Sequence, residues 1–597
     1  METLLPRPIS AELLFPEQLA PAAPTRLRNG AVALLDTLVE CGIDTIFGYP
    51  GGAALPLYDA LHSEPRLHHV LVRREQAAVH AAEGYARTTG RVGVVLVTSG
   101  PGVGNTITGL LDAMSDSVPV LCISGQVATA VIGTNAFQES DALGMSRPVT
   151  KWNHQARVVD EIPALIRRAL DIATSGRPGP VLLDVPKDVQ LTPLSTMAMA
   201  PTKSVRKLRV TPLPPSSTLQ RAADLLSTAR RPVLYGGGGL VNSGPGACEA
   251  FTRLVRRLDA PCTLTLMGLR AFPASDERFV GMLGMHGALE ANLAMHEADL
   301  VVCIGARFDD RVTGKLDEFC PHARKIHIDI DRGSINKVVK VDVPIVGDCA
   351  AVLEVLLTMP ALQALVPDRL APWWQRIARW RAERCFDFTP RAGEILPQQL
   401  MATLQNVLQG RDAIVSTDVG QHQMWAAQYL RFERPGRWLT SGGAGTMGYG
   451  LPAALGAQIA HPDALVVCVS GDASVLMNIQ ELSTAMQHHT PVKLVLLNNG
   501  YMGMVRQWQE LNHGNRLSHS WNEALPDFVA LAKAFGWGAR RVEGPAELDV
   551  ALAECLAYDG PFFLDMRVAA QENCLPMMPS GYGHYRLMLS KDRWYEE

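Results

Sequence analysis

Two short apolar runs near the carboxyl-terminal end, each followed by polar residues, constrain the fold most strongly. Residues 464–470 and 492–497 are rich in β-branched residues and are predicted to be buried parallel strands. The segment between them carries apolar residues at helical spacing and ends at Pro491, which indicates a βαβ unit. Because parallel strands end at one edge of a sheet, Asp472 and Asn499 are predicted to converge on one crevice.

The side chains at these two strand ends suit a metal-bound phosphate. A carboxylate from Asp472 and an amide oxygen from Asn499 are ligands that Mg²⁺ accepts while it keeps positions for phosphate oxygens and water. Gly471 and Ala473 are small enough to let such oxygens approach the backbone. The alternative is an ordinary strand-turn-helix with an Asx-turn at Asp472, which any α/β protein can contain.

Composition argues against several classes of protein. The chain has 597 residues, 47% hydrophobic and 19% charged, and its net charge of −4 leaves no basic excess for nucleic acid. No run approaches the roughly 18 apolar residues needed to cross a membrane. Eleven cysteines without a Cys-x-x-Cys pair are typical of buried thiols in a reducing cytosol. Acidic residues in the first 25 positions argue against a targeting peptide, so we expect a cytoplasmic location.

The chain is predicted to contain three α/β domains, each a doubly wound parallel sheet. Residues 92–123 and 464–497 share a strand-glycine-helix-proline-strand order, which favours two related domains near the chain ends, although this order is common enough to arise by chance. A third unit between them opens at residues 230–239. We place the domains at 26–191, 213–358 and 392–575, with tails at 1–25 and 576–597 and proline-containing linkers at 192–217 and 360–391.

Glu75 is the main candidate near the other end of the chain. It follows a strand-like run at residues 69–73 and opens an alanine-rich helix. One interpretation is a carboxylate stabilised by the positive end of the helix dipole. The other is a catalytic residue.

Longer phrases carry a family resemblance. The most specific are residues 47–53, 136–139, 177–181, 186–189, 305–314 and 445–448. From about residue 26 to 580 the chain resembles the catalytic large subunits of acetohydroxyacid synthase, also called acetolactate synthase, a thiamine diphosphate (ThDP) enzyme family. The resemblance implies that the three domains are a pyrimidine-binding domain, a central FAD-binding domain and a diphosphate-binding domain.

The resemblance assigns one half of ThDP to each end domain. Glu75 would hydrogen-bond ring nitrogen N1′ of the pyrimidine, with Gly48 and Gln138 as the other catalytic residues. Mg²⁺ would be held by Asp472, Asn499 and the backbone carbonyl of Tyr501. The remaining expected ThDP contacts are Gly420, Gln421, His422, Gly445, Met447, Gly471, Ala473 and Ser474. In this family the two halves come from different subunits, so a homodimer or homotetramer is expected.

The resemblance also implies a structural FAD, because the net reaction of the family involves no redox change. Glycines and backbone amides suit the phosphates of a dinucleotide, and a carboxylate suits its ribose. A solvated charged loop is the alternative for residues 305–314. The expected FAD contacts are Gly236, Gly237, Gly238, Met267, Gly284, Met285, His286, Gly305, Arg307, Asp309, Arg311, Asp329 and Ile330.

The implied reaction is ThDP-dependent decarboxylation of pyruvate and condensation of the hydroxyethyl group with pyruvate or 2-ketobutyrate. Arg311 would hold the carboxylate of the second keto acid, because a guanidinium binds it bidentately. Trp508, with Met504, would shape the pocket for its ethyl group, whereas a core tryptophan is the alternative. Phe137 and Lys187 would line the substrate entrance. The family also implies a small regulatory subunit.

Three rival functions are compatible with a ThDP site. A 2-keto acid decarboxylase and a pyruvate oxidase with a redox-active flavin use the same cofactor, but residues 307–314 together with Lys187 and Trp508 argue against both. A catalytically dead homologue would show damage at Glu75, Asp472 or Asn499, and all three are intact. Gly500 and the segment 514–521 vary within the family, so the resemblance implies no particular shape for the local lid.

Overall fold

The computed structural model describes residues 28–195 and 213–597, and the predicted tail at 1–25 lies outside this part of the chain. The described residues form three six-stranded parallel sheets flanked by helices, which confirms the predicted fold class. None of the described helices is long and apolar enough to cross a membrane. All eleven cysteines are free thiols, and most of them are buried.

The amino-terminal sheet has the order β2-β1-β3-β4-β6-β5. Its strands are β1 Thr45–Gly48, β2 His68–Leu71, β3 Gly93–Val97, β4 Val120–Gln126, β5 Trp152–Gln155 and β6 Val181–Pro186. Its helices are α1 Gly30–Glu40, α2 Leu55–His62, α3 Glu75–Thr89, α4 Pro101–Asp116, α5 Ala142–Ser146, α6 Ile162–Thr174 and α7 Lys187–Leu191.

The central sheet has the order β12-β11-β10-β7-β8-β9. Its strands are β7 Pro232–Gly236, β8 Cys262–Leu264, β9 Phe279–Met282, β10 Leu300–Ile304, β11 Arg324–Asp329 and β12 Val343–Val346. Its helices are α8 Ser216–Thr228, α9 Gly238–Asn242, α10 Pro245–Leu258, α11 Leu289–Glu297, α12 Asp310–Thr313 and α13 Cys349–Thr358. Counted along the chain, this is the order 3-2-1-4-5-6 typical of dinucleotide-binding folds.

The carboxyl-terminal sheet has the order β14-β13-β15-β16-β18-β17. Its strands are β13 Ile414–Thr417, β14 Trp438–Leu439, β15 Val466–Gly471, β16 Lys493–Asn498, β17 Gly538–Val542 and β18 Phe562–Arg567. Its helices are α16 Pro397–Leu408, α17 Gln421–Tyr429, α18 Gly450–Ala460, α19 Asp472–Val475, α20 Leu482–Gln487, α21 Gly503–Asn512, α22 Phe528–Ala534 and α23 Leu548–Ala557. Numbered within each domain, the two end sheets have the same strand order, as expected for related domains.

Two segments placed outside the domains by sequence are ordered. The expected linker at 360–391 contains helices α14 Pro360–Gln363 and α15 Ala371–Arg381. Trp373 on α15 is buried and donates its indole N–H to the carbonyl of Pro232 at 3.2 Å, so α15 packs against the central domain. The expected tail at 576–597 forms a hairpin of β19 Arg586–Met588 and β20 Trp594–Glu596.

The two end domains pack directly against each other through α3 and α18. Glycines at the crossing permit a close approach of the two backbones. A Cβ atom on Gly84 would collide with the carbonyl of Ala453, and one on Gly456 would collide with the carbonyl of Ala81. This crossing places the two end domains of one chain relative to each other.

Candidate active site

A cavity of about 1690 Å³ lies where the three domains meet. Its lining from the carboxyl-terminal domain includes the predicted residues Gly420, Gln421, His422, Gly445, Met447, Gly471, Ala473, Ser474, Asn499, Tyr501, Met504 and Trp508. Its lining from the central domain includes Gly238, Met267, Met285, His286, Gly305, Arg307, Asp309, Arg311, Asp329 and Ile330. The structure therefore places most of the predicted ThDP, FAD and substrate contacts of these two domains around one space.

Asp472 and Asn499 meet at the edge of the sheet, as the strand register requires. Gly471 pairs with Leu497 in the ladder of β15 and β16. The Asp472 carboxylate is almost fully buried and accepts hydrogen bonds from the amide of Gly500 at 2.7 Å and from Asn522 Nδ2 at 3.0 Å. Burial raises the pKa of Asp472 to about 6, and a bound cation would oppose that shift.

The His422 ring is buried and has one nitrogen without a hydrogen-bond partner. Burial lowers the pKa of its ring to about 3, so the imidazole is neutral at pH 7, and the backbone carbonyl of Asp418 is its partner. Its Nε2 atom is buried without a hydrogen-bond partner. Cβ atoms on Gly420 or Gly471 would stand 2.8 Å from the ring, which explains the glycines on both sides. A phosphate beside Nε2 would favour the protonated ring, which then donates a hydrogen bond to it.

Met447 lies on a turn that the carboxylate of Asp418 holds from behind. Asp418 is buried and accepts hydrogen bonds from the amides of Gly448 at 2.8 Å and Gly450 at 3.3 Å. Gly448 has φ +91°, a conformation that glycine adopts readily. Met447 thus lines the cavity rather than filling a core. Sequence reasoning missed Asp418, although its position directly after β13 was a signal.

The predicted amino-terminal site residues do not line this cavity. Glu75, Gly48 and Gln138 lie at the carboxyl-terminal edge of the amino-terminal sheet. Glu75 Oε2 accepts a hydrogen bond from Asn105 Nδ2 at 2.9 Å. The backbone of Gln138, with φ +60°, passes so close to Gly100 that a Cβ atom on Gly100 would stand 2.9 Å from its carbonyl oxygen.

Two further amino-terminal residues, Phe137 and Lys187, also lie outside the cavity lining. Phe137 is 88% exposed, the most exposed of the large apolar side chains that the structure describes. Lys187 is half-buried and begins α7 directly after β6. Glu75, Phe137 and Lys187 are thus absent from the cavity lining that one chain provides.

The segment that presents Glu75 is held by the carboxyl-terminal domain of the same chain. The amide of Arg73 donates to Glu481 Oε1 at 3.0 Å and to Oε2 at 3.2 Å. The amide of Leu71 donates to His488 Nε2 at 3.0 Å. Sequence reasoning missed Glu481 because nothing in its own segment links it to residues some 400 positions away.

The central part of the cavity lies at the point where the strand order reverses. Gly236 ends β7 and Gly305 follows β10, and the amide of Gly239 donates to the carbonyl of Gly305 at 2.8 Å. A Cβ atom on Gly239 would stand 2.6 Å from Gly305 Cα. The predicted residues Gly236, Gly237 and Gly284 are not part of the cavity lining. Gly237 packs against Gly305 and Gly284 packs against Arg311, and both of those partners line the cavity.

Polar groups in the central part are available to a ligand. His286 is buried, its Nδ1 atom has no partner, and burial lowers its pKa to about 4. Arg307 pairs with Asp309 at 2.7 Å. The Arg311 side chain is 63% exposed. In the sequence, Arg177 was noted only as part of the family phrase 177–181. The structure places it on the cavity wall, where its Nε donates a hydrogen bond to Ser117 Oγ at 2.7 Å.

Trp508 and Met504 lie on α21, which begins shortly after Asn499. Trp508 is half-buried and lines the cavity, so it is not a core tryptophan. Its neighbour Gln507 is buried and binds the carbonyl of Cys574 at 3.2 Å, which fixes the helix that carries it. The structure therefore places a large aromatic side chain in the space next to the strand ends.

Comparison with known domain families gives three matches in chain order. Residues 28–145 match the N-terminal TPP binding domain of thiamine pyrophosphate enzymes, residues 219–356 match the central domain, and residues 418–566 match the C-terminal TPP binding domain. These matches support thiamine diphosphate as the cofactor of the cavity.

Relatives of known name cover almost the whole chain. The acetolactate synthase isozyme 3 large subunit of Escherichia coli K12 is 47% identical over 94% of this chain and 99% of the relative. The large subunit of Haemophilus influenzae is 46% identical over 94% and 98%. The mitochondrial catalytic subunit of Saccharomyces cerevisiae is 44% identical over 91% and 81%. Together with the three-domain cavity, these similarities show that the chain belongs to the acetolactate synthase large-subunit family of thiamine diphosphate enzymes.

Proposed function

We propose that the chain decarboxylates pyruvate and transfers the two-carbon unit to a second pyruvate or to 2-ketobutyrate, giving 2-acetolactate or 2-aceto-2-hydroxybutyrate. One observation carries the proposal. The strand ends that carry Gly471 and Asn499 open into the same cavity as His422, Arg311 and Trp508. Three groups thus line one cavity: the sheet edge that would bind phosphate, the Arg311 guanidinium that would bind a substrate carboxylate, and the aromatic side chain of Trp508.

The residues present fit ThDP and Mg²⁺. When bound, ThDP supplies a carbon nucleophile and an electron sink for decarboxylation. Asp472, Asn499 and the carbonyl of Tyr501 would hold Mg²⁺, because hard oxygen ligands suit this ion. The unpartnered Nε2 atom of His422 supports a phosphate contact. Met447 would support the cofactor from the wall of the cavity.

Glu75 is proposed to act on the cofactor bound by a second copy of the chain. Glu75 of the partner subunit would hold a proton at ring nitrogen N1′, with Gly48 and Gln138 of the partner subunit beside it. Its absence from the cavity lining of its own chain supports this arrangement. Large apolar side chains near the proposed cofactor-binding residues of the two end domains are exposed, including Phe137 (88% exposed) and Trp521 (59% exposed). They would be covered in such a homodimer or homotetramer.

FAD is proposed as a structural ligand of the central domain. The strand order, the tight contacts between Gly239 and Gly305, and the unpartnered Nδ1 atom of buried His286 support a dinucleotide at the switch point. Arg177 would add a positive charge for its phosphates, since it lies on the same wall. The remaining central-domain contacts are those predicted from the sequence.

The acceptor keto acid is proposed to bind between Arg311 and Trp508. Arg311 offers a guanidinium with a large exposed fraction, and its ion pair with the exposed Asp310 is long, at 3.9 Å. Trp508 and Met504 would contact the ethyl group of 2-ketobutyrate. Phe137 and Lys187 of the partner subunit would border the entrance.

The names of the relatives suggest two further properties. A protein called a large subunit has a smaller partner, so we infer a regulatory subunit for this chain as well. Free, mostly buried cysteines agree with a reducing compartment such as the cytoplasm.

Product analysis tests the proposed reaction. The protein is incubated with pyruvate alone or with 2-ketobutyrate, with and without ThDP, Mg²⁺ and FAD, and acetolactate, 2-aceto-2-hydroxybutyrate, acetaldehyde and peroxide are measured. Acetolactate that requires ThDP and Mg²⁺, with no peroxide, is expected. Acetaldehyde as sole product would indicate a decarboxylase, and peroxide would indicate an oxidase.

Substrate preference tests the role of Trp508. Trp508→Leu should lower the preference for 2-ketobutyrate over pyruvate by roughly 10-fold, because one methylene contact is worth that much in an apolar pocket. Trp594→Leu, a change on the carboxyl-terminal hairpin outside the cavity lining, is the control. An unchanged product ratio in the Trp508 variant would contradict the assignment.

A further inference from the structure

Asp112, near the end of α4, reaches from the amino-terminal domain into the turn that leads to Met447. It is fully buried, and its Oδ1 atom accepts hydrogen bonds from the hydroxyls of Ser441 and Thr446, the latter at 3.0 Å. The amide of Thr446 in turn donates to Ser441 Oγ at 2.8 Å. Both hydroxyls lie within six residues of Met447, which lines the cavity.

The neighbouring carboxylate holds the same turn by its backbone. Asp116 accepts hydrogen bonds from the amide of Gly442 at 2.9 Å and from the amide of Gly443 at 2.7 Å. Arg87 on α3 donates to Asp116 at 2.8 Å and fixes it. Residues 441–446 are thus bound along their length by one helix of another domain, although they belong to the cofactor turn of their own domain.

Asp112 lies next to another buried acid, Glu83. Asp112 Oδ2 and Glu83 Oε2 are both buried and have no other hydrogen-bond partner, and ligand atoms of the two residues lie within 4.8 Å of each other. Burial raises the pKa of both groups. Two adjacent buried carboxylates are stable when they share one proton. The shared proton leaves Asp112 Oδ1 free to accept from the turn.

A metal ion does not suit this cluster, although His80, Glu83 and Asp112 could each offer a ligand atom. Arg87 already places a positive charge 3.7 Å from Glu83 Oε2. Its charge would repel a cation, whereas it stabilises a carboxyl pair that keeps one negative charge.

We propose that Asp112 is a positioning residue for the cofactor: together with Glu83 it fixes the turn at 441–447, so that the amino-terminal domain shapes the ThDP site of its own chain. The inference rests on the proposed function in one respect, that Met447 contacts ThDP. It assigns a role to residues that lie outside the cavity lining.

Binding of ThDP with Mg²⁺ to the full-length protein, measured by titration calorimetry, tests the proposal. Asp112→Ala should weaken ThDP affinity on the order of tenfold, because buried hydrogen bonds to a charged group are lost. Asp112→Asn should stay within about twofold, because its amide oxygen still accepts from Ser441 and Thr446 while its NH₂ donates to Glu83. Thr446→Val, which removes a single hydroxyl, should weaken affinity by about threefold.

Asp276→Asn is the matched control. Asp276 lies in the central domain, its side chain is 6% exposed, and it accepts hydrogen bonds from Arg256 Nε at 2.8 Å and from the amide of Arg278 at 3.0 Å. Its loss should lower the melting temperature and leave ThDP affinity unchanged. If Asp112→Ala behaves in the same way, Asp112 only joins the two domains and the proposal is wrong.

Two outcomes keep the test decisive. If Asp112→Ala does not fold, Thr446→Val decides, and unchanged ThDP affinity in that variant would overturn the proposal. Failure of Asp112→Asn to retain affinity would overturn it as well. The proposed reaction is judged separately by the products of the wild-type protein, so a wild type that binds ThDP but makes no acetolactate refutes only the reaction.

Discussion

Single side chains in the cavity are oriented by the residues directly behind them. The His422 ring fits only because Gly420 and Gly471 lack side chains. The Asp472 carboxylate is already held by Gly500 and Asn522 and needs little reorganisation to bind a cation. At this scale, His422 depends on neighbours that leave its ring room, and Asp472 depends on neighbours that donate hydrogen bonds to its carboxylate.

Gly471→Ala tests the space behind His422. The added methyl group would stand 2.8 Å from His422 Nδ1, so the ring must move, and ThDP affinity should fall by roughly tenfold. Titration calorimetry measures the effect. Gly246→Ala is the control, since a Cβ atom there meets nothing within 4 Å. Equal affinities in both variants would contradict the proposed contact between His422 and the diphosphate.

Glu75→Gln tests the proposed catalytic role of the Glu75 carboxylate. Turnover should fall on the order of 10²–10⁴, the usual effect of losing a positioned acid or base. ThDP should still bind, because the diphosphate contacts come from the other domain. Steady-state kinetics and calorimetry measure the two effects. Glu64→Gln, which removes a surface partner of Arg66, should leave both unchanged. Normal turnover of Glu75→Gln would show that proton transfer at N1′ does not need this residue.

At the scale of elements, helix packing determines where the proposed cofactor-binding edges of the two end domains lie within one chain. α3 begins at Glu75 and packs along α18, which follows directly after the Met447 turn. Sheets with the same strand order stand on either side of this contact. The crossing therefore orients the proposed cofactor-binding edges of both sheets, and Gly84 and Gly456 allow the two helices to approach this closely.

Gly456→Ala tests this crossing. The new methyl group would collide with the backbone carbonyl of Ala81, and backbone cannot move aside as a flexible side chain can. Overpacking of this kind costs about 1–3 kcal/mol, so the melting temperature should fall by several degrees. Differential scanning calorimetry measures it. Gly246→Ala, helical and unobstructed, should not lower it, and an equal melting temperature in both variants would show that the crossing tolerates a side chain.

At the scale of the whole molecule, three domains share one cavity, and a buried carboxyl pair of the amino-terminal domain contacts the carboxyl-terminal domain. The groups that face Glu83 and Asp112 from the surrounding elements are His80, Arg87, Asp116 and Tyr449. Because the pair lies at the contact of the amino-terminal domain with the carboxyl-terminal domain, its protonation state affects the free energy of unfolding.

The stability of the protein should depend on this pair in a defined direction. Burial raises the pKa of Asp112 from its ordinary value of 3.8 to about 6. The folded state then binds more protons than the unfolded state, so the stabilisation is full below pH 3.8 and is lost as pH rises through about 6. The melting temperature of Asp112→Asn relative to wild type should therefore rise across this window. A difference in melting temperature between the two proteins that does not change with pH would contradict a raised pKa of Asp112.

Much of the architecture could be predicted because its signals are local. Apolar strand runs ending in glycine, aspartate or asparagine fixed the three parallel sheets, and the convergence of Asp472 and Asn499 followed from strand direction alone. The folded segments at 360–381 and 586–596 could not be predicted, because their order comes from packing partners distant in sequence, such as Pro232 for Trp373.

The sequence by itself determined the cofactor family, the three-domain plan and the residue types at the phosphate edge, since each depends on a short pattern with one physical meaning. Only the tertiary structure decided that Glu75 lies outside the cavity lining of its own chain and that Glu481 and Asp112 hold the segments next to the proposed cofactor contacts. The reason is physical. A hydrogen bond between residues hundreds of positions apart leaves no pattern in either segment, and it exists only once the helices α3 and α18 have packed.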